Sequence, residues 1–211
     1  MHPTPAILQA DGLSFGYPKS SKKTLFGDLS VVLPPGVTLV CGDEGSGKTT
    51  LLQLLAGALP SAGQLQIKGV RLAENSDGYR RLVAWFDPRD TALDEHTARQ
   101  IFSTLPQRRP GCEPAVLQTH IDGLSLEPHL DKPLFALSTG TRRKVLLAAA
   151  LASQASVTLL DQPFMALDRP SIDYLLDLLA EAAQHRSRAW VVADYVAPMR
   201  VELAGVIELG S

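Results

Sequence analysis

An α/β fold built on a largely parallel sheet is what this sequence predicts, with a small antiparallel sheet near its start and a helical insertion. Three observations carry that reading. Short, unalternating apolar runs recur between helical patterns, as strands covered on both faces require. A glycine-rich loop joins one such run to an apolar helix. Between residues 87 and 137, prolines interrupt a stretch of helical periodicity.

The elements follow in order. Leu8 to Tyr17 and Leu29 to Leu33 read as strands joined by a Ser/Lys-rich turn, and Gln64 to Ile67 alternates polar and apolar, which suggests an antiparallel sheet. The buried strands are Val37 to Cys41, Leu82 to Phe86, Val157 to Leu160 and Trp190 to Ala193. An apolar helix starts near Lys48. Helical runs at His96 to Leu105 and Glu113 to Ile121 are broken by Pro106, Pro110, Pro114, Pro128 and Pro133. A further helical run covers Arg142 to Ala152. Asp168-Arg169-Pro170 opens another helix, with Asp168 as N-cap and Leu175, Leu176, Leu178 and Leu179 as its apolar stripe. The expected organisation is one domain over 1–211, with 1–86 and 146–211 forming the core and 87–145 an inserted helical subdomain.

Composition narrows the function. The 211 residues suit one domain, and 20 basic against 22 acidic side chains leave no electrostatic footprint for nucleic acid or an anionic membrane. Arg142-Arg143-Lys144, the densest basic run, reads as a solvated helix face. Cys41 and Cys112 form no CxxC or Cys/His cluster and read as reduced thiols. The histidines (His2, His96, His120, His129, His185) form no ligand cluster and are expected on surfaces or helix ends. No run approaches the ~18 apolar residues of a membrane span. The expectation is a soluble, cytoplasmic chain whose membrane role requires a separate partner.

Gly42-Asp43-Glu44-Gly45-Ser46-Gly47-Lys48-Thr49 fits G-x-x-x-x-G-K-[ST] at every fixed position, a string expected by chance in about 1% of chains this long. A strand precedes it and a helix follows. Glycines let backbone N–H groups converge on phosphate oxygens, and the helix N-terminus adds partial positive charge. Lys48 is expected at the β- and γ-phosphates, Thr49 at Mg²⁺, and Thr50 among the nucleotide-binding residues. Asp161, directly after the strand Val157 to Leu160, supplies the second metal anchor that such a loop needs.

Several P-loop families share those two elements. Leu137-Ser138-Thr139-Gly140-Thr141, about twenty residues before Asp161, resembles the Leu-Ser-Gly-Gly-Gln signature of the ATP-binding cassette (ABC) family. Asp161-Gln162-Pro163-Phe164 resembles that family's acidic strand end, and Ala166-Leu167-Asp168 its D-loop. Tyr17 sits where the family places an aromatic that stacks on adenine, an edge-strand tyrosine being the alternative. The resemblance runs from about residue 6 to 208. It implies a homodimer or heterodimer of nucleotide-binding domains with ATP and Mg²⁺ between them. Ser138 and Gly140 would then face the γ-phosphate on the partner, Asp168 would join the nucleotide contacts, and a separate integral-membrane subunit would be moved.

Three stations depart from the family. Gln162 replaces the glutamate that acts on the attacking water; an amide orients water but cannot take its proton, and losing a general base costs ~10²–10⁴ in rate. Trp85-Phe86-Asp87-Pro88 stands where the Q-loop glutamine belongs, with no glutamine from there until Gln100. Asp194 stands in place of the switch histidine, where it repels a γ-phosphate unless turned away or paired with a cation. Gln162 is either a substitution that traps the ATP-bound state or one of three coordinated natural losses. Three functional readings follow. One is a subunit powering a membrane protein, of exporter or haem-export type and slow in hydrolysis. Another is an ATP-gated clamp, or a heterodimer half whose partner hydrolyses. The last is a non-transport ABC protein, although the chain has neither tandem cassettes nor coiled-coil arms.

Overall fold

The computed structural model describes residues 6–18 and 24–210. Most of the expected Ser/Lys-rich turn, and His2, lie outside the described residues. Five parallel strands form the main sheet in the order β6 (Val83–Phe86), β7 (Val157–Asp161), β8 (Ala189–Ala193), β3 (Gly36–Cys41) and β9 (Leu203–Glu208). Strands β7 and β8 are buried at every position, which is why they read as unalternating apolar runs. The terminal strand β9 alternates exposed and half-buried residues, so it carries no such run. A second, antiparallel sheet has the order β2 (Phe26–Leu33), β1 (Leu8–Phe15), β4 (Ala62–Ile67) and β5 (Val70–Arg71). Both sheets thus match the predicted α/β class, with β5 and β9 as additions.

The parallel sheet separates two apolar cores. On one face Val40, Val83, Leu159 and Val191 pack with the antiparallel sheet, with helix α1 (Lys48–Leu55) and with Tyr79 of the short helix α2 (Ser76–Arg81). On the other, Phe86, Leu160 and Val192 meet helices α3 (Ala98–Arg108), α4 (Pro114–Gly123), α5 (Thr139–Ala152) and α6 (Arg169–Ala183). Neighbouring residues of one strand, such as Leu159 and Leu160, therefore serve different cores, as the period of two dictates.

Two expectations need correction. Pro106 does not break its helix: α3 runs past it to Arg108, because a proline this near the end forfeits a single backbone bond while Arg109 N–H still closes on Leu105 O at 2.7 Å. Pro114 likewise opens α4 in its first turn, where its missing N–H has no partner to lose. The run Arg142-Arg143-Lys144 is not a solvated face. Arg142 binds Asp94 at 2.8 Å and Pro88 O at 2.8 Å; Arg143 and Lys144 are buried, Lys144 pairing with Asp168 at 2.7 Å. His120 lies in the last turn of α4, at a helix end as expected, yet it is buried and shares a 2.7 Å hydrogen bond with the Tyr174 hydroxyl; His96 and His185 are exposed.

Candidate functional site

Register explains why the site lies where it does. Val40 and Asp161 each pair with Ala193, and Phe86 with Leu160, so four adjacent parallel strands finish level. Their next residues (Gly42, Gln162, Asp194 and Asp87) emerge at one edge, the carboxyl edge at which α/β sheets bind ligands. A cleft of about 580 Å³ opens there, lined by Glu44, Gly45, Gly47, Lys48, Thr49, Thr50, Asp161 and Gln162 from the predicted set, with Tyr17 at its rim.

The loop from Gly42 to Gly47 needs its glycines. Gly47 is the N-cap of α1 with φ +98, and a Cβ there would stand 2.8 Å from the Phe26 ring. Gly42 (φ +148) would bring a Cβ to 2.6 Å from Leu209 O. Asp43 and Glu44 are exposed at the tip, and Ser46 Oγ is buried with no partner among the described residues. Lys48 is buried, yet its ammonium donates to Gly42 O at 2.7 Å and Asp43 O at 2.9 Å. Its other side lies 4.3 Å from the Tyr195 ring centroid, a cation–π contact. This turns an ammonium that burial penalises toward the loop interior.

Thr49 Oγ1 donates to Asp161 Oδ2 at 2.7 Å, joining the two expected metal anchors across 112 positions of sequence. Burial pushes the Asp161 carboxyl above its ordinary range, against the opposing pull of Thr49 and Arg89. A hydroxyl and a buried carboxylate converging beside the loop are a hard-oxygen donor set that suits Mg²⁺. Among the described residues no group of three or more His, Cys, Asp or Glu could hold a metal ion.

Gln162 adopts φ +46, uncommon for a non-glycine residue. Its N–H bonds Ala193 O at 2.9 Å, and its carbonyl accepts from the Arg143 guanidinium and the Met165 N–H. Asp194 does not line the cleft. It accepts from Tyr195 N–H at 2.8 Å, and burial raises its carboxyl while Lys48 and Arg143 pull it down. Asp87 accepts from Arg89, and Phe86 is buried in the core. Gln100 is engaged in the capping box of α3 with Thr97, far from any Q-loop duty.

Ser138 and Gly140 lie outside the cleft lining, at the start of α5. Ser138 caps that helix, accepting from Thr141 N–H at 3.1 Å. Asp168 caps α6 through Ser171 N–H at 3.1 Å, and its bond to Lys144 holds its carboxyl down at about 2. Tyr17 is 44% exposed at the mouth, with its hydroxyl 3.0 Å from Thr50 Oγ1 and its ring edge-on to Phe15 at 4.9 Å between centroids.

Four lining residues were missed by sequence reasoning, Leu25, Arg89, Met165 and Tyr195. Arg89 places Nη2 2.8 Å from Asp161 Oδ2. For Arg89 and Tyr195 the signal available was position alone: they sit three and two residues beyond the ends of β6 and β8, whose neighbours carry the site.

A phosphate-cradling loop, a threonine–aspartate pair and a level carboxyl edge together define a P-loop nucleotide-binding protein. The comparisons specify which kind. The ABC transporter family model matches residues 26–165. The cytochrome c biogenesis ATP-binding export protein CcmA of Pseudomonas syringae is 32% identical over 189 residues, covering 88% of this chain and 86% of the relative. The protein of that name in Escherichia coli K12 is 32% identical over 177 residues, 81% of each chain. A solved ATP-binding subunit of an ABC transporter superposes with a TM-score of 0.79 at 22% identity, over 90% of this chain and 80% of that one. An ATP-binding cassette solved as a dimer with ADP and Pi bound gives 0.75 at 19%, over 90% and 88%. The chain belongs to the ABC transporter family, as an ATP-binding subunit. Among the described residues no helix is long and apolar enough to cross a membrane.

Proposed function

We propose that this chain is the ATP-binding subunit of an export-type ABC transporter, holding Mg-ATP at the interface of a nucleotide-binding-domain dimer and hydrolysing it slowly by itself. It gates a separate integral-membrane subunit from the cytoplasmic face. The export class is supported by relatives named for export in cytochrome c biogenesis. Residues 1–86 and 146–211 form the nucleotide-binding core and 87–145 the helical subdomain; α3, α4 and their connections fall in the latter. Lys48 and the loop amides of 42–47 hold the phosphates, Thr49 and Asp161 hold Mg²⁺, Thr50 supports the loop end, and Tyr17 stacks on adenine. Mg²⁺ there neutralises charge on the β- and γ-phosphate oxygens. Ser138, Gly140 and Asp168 serve the nucleotide bound by the partner.

Slow hydrolysis rests on one observation: the residue that follows Asp161 at the cleft is an amide, Gln162. It can orient water, but the nearby carboxylate, Asp194, is turned to its own backbone and lies outside the lining. Reversal by Gln162→Glu is therefore expected to raise turnover by less than about tenfold, short of the ~10²–10⁴ of a restored general base, because Asp87 and Asp194 still differ. Calorimetric ATP titration and steady-state hydrolysis test this. Absence of ATP binding would overturn the reading, and turnover at tens per second by the unaltered chain would sink the slow-hydrolysis claim. The ordered start of α5 beside a depleted catalytic set also favours a second reading, a heterodimer half. Copurification that recovers only this chain and a membrane subunit counts against it.

A further inference from the structure

We infer that Arg89 is a built-in cation beside the metal position that neutralises charge there when Mg²⁺ is absent, which makes nucleotide binding by this chain only weakly dependent on Mg²⁺. The inference rests on the proposed ATP site and concerns what neutralises the charge there. Asp161 Oδ2 accepts from Thr49 at 2.7 Å and from Arg89 Nη2 at 2.8 Å, so the guanidinium bonds the oxygen that a divalent ion shared with Thr49 would use. Asp87 fixes Arg89 from behind: its Oδ1 accepts the Arg89 backbone N–H at 3.0 Å and Nε at 3.4 Å. The Asp161 side chain is 5% exposed whereas that of Arg89 is 60% exposed, so a buried anion anchors a cation whose outer edge faces the cleft.

A guanidinium carries five N–H donors in a planar fork, and Asp161 and Asp87 engage only two of them. Arg89 lines the cleft together with Lys48 and Thr49, and a planar fork with unused donors suits paired phosphate oxygens there. Asp87, at the Q-loop position, then has a role as the residue that holds Arg89 in place. Arg89 also cannot leave Asp161 cheaply when no metal arrives, since an unpaired buried carboxylate is costly.

The test is calorimetric titration of the full chain with ATP, in excess Mg²⁺ and in EDTA, for the unaltered protein, Arg89→Ala and Arg89→Lys. The quantity read is the ratio of the two dissociation constants. Charge-assisted hydrogen bonds are worth enough to shift affinity about tenfold or more. The expected result is a ratio below about ten for the unaltered chain, rising at least about tenfold in Arg89→Ala through weaker binding in EDTA, with Arg89→Lys between. Thermal unfolding of each variant confirms that it is folded, and Arg89→Lys keeps the charge if Arg89→Ala fails to fold. An unchanged ratio in Arg89→Ala, or an equal loss with and without Mg²⁺, overturns the inference while leaving ATP binding intact. No binding by the unaltered chain in either buffer overturns the proposed site itself.

Discussion

Replacing Gly140 by alanine sets two physical effects of opposite sign against each other. Gly140 is the second residue of α5, and helix propensity alone predicts that alanine there stabilises by about 1 kcal/mol. The fold predicts the reverse. A Cβ at position 140 would stand 2.5 Å from Ala166 O, against the 3.4 Å at which ordinary contact begins, so something must move by about 0.9 Å. The obstacle is backbone. Ala166 is already held at φ +60, between turns closed by Met165 N–H to Gln162 O at 3.2 Å and Leu167 N–H to Phe164 O at 3.3 Å. Overpacking of this kind costs about 1–3 kcal/mol, so the expected net effect is destabilisation by about 1 kcal/mol, or roughly 2–4 °C in Tm for a chain of this size. Urea and thermal unfolding of Gly140→Ala without nucleotide measure it. Equal or greater stability would refute the argument and leave the glycine with a purely ligand-directed role.

Three further outcomes are expected. Lys48→Met removes the ammonium that the loop carbonyls hold and should weaken ATP binding at least about tenfold, read by calorimetry, with helical content unchanged by circular dichroism. Burial first, and Arg188 second, lowers His120 from 6.5 to about 4. A depressed histidine contributes stability that is complete above 6.5 and lost as pH falls toward 4. The difference of about 2.5 at about 1.36 kcal/mol per pH unit makes this about 3 kcal/mol. Urea unfolding between pH 7 and 4 should therefore show a steeper acid loss for the unaltered chain than for His120→Gln; parallel curves would contradict it. Burial also raises Asp161 and Asp194, so without nucleotide their contribution runs the other way, present in acid and lost as pH rises through their elevated values.

The motifs legible in the sequence are the contiguous ones. Gly42 to Thr49, the apolar run ending at Asp161 and the Asp168 cap each concentrate their physical cause within a few residues: φ freedom, burial on both faces, a side chain reaching the third N–H. The alternating strand β9 and the two-residue β5 offered no such local signature. Arg143 and Lys144 misled for a related reason. A basic run on a helix reads as solvated until a carbonyl, an aromatic ring and a carboxylate arrive from elsewhere to receive it, as Gln162, Phe86 and Asp168 do.

The sequence by itself determined that this chain carries a phosphate-binding loop, a strand-end aspartate and a helix-opening serine, and that glutamate, glutamine and histidine are missing from three neighbouring stations. Only the tertiary structure decided what stands in those stations. Asp194 is turned to its own backbone, Gln100 is spent on a helix cap, and Arg89 reaches Asp161 across 72 positions of sequence. Local pattern fixes backbone conformation and burial. Which charge faces which is set by strand register, and that is a property of the folded sheet.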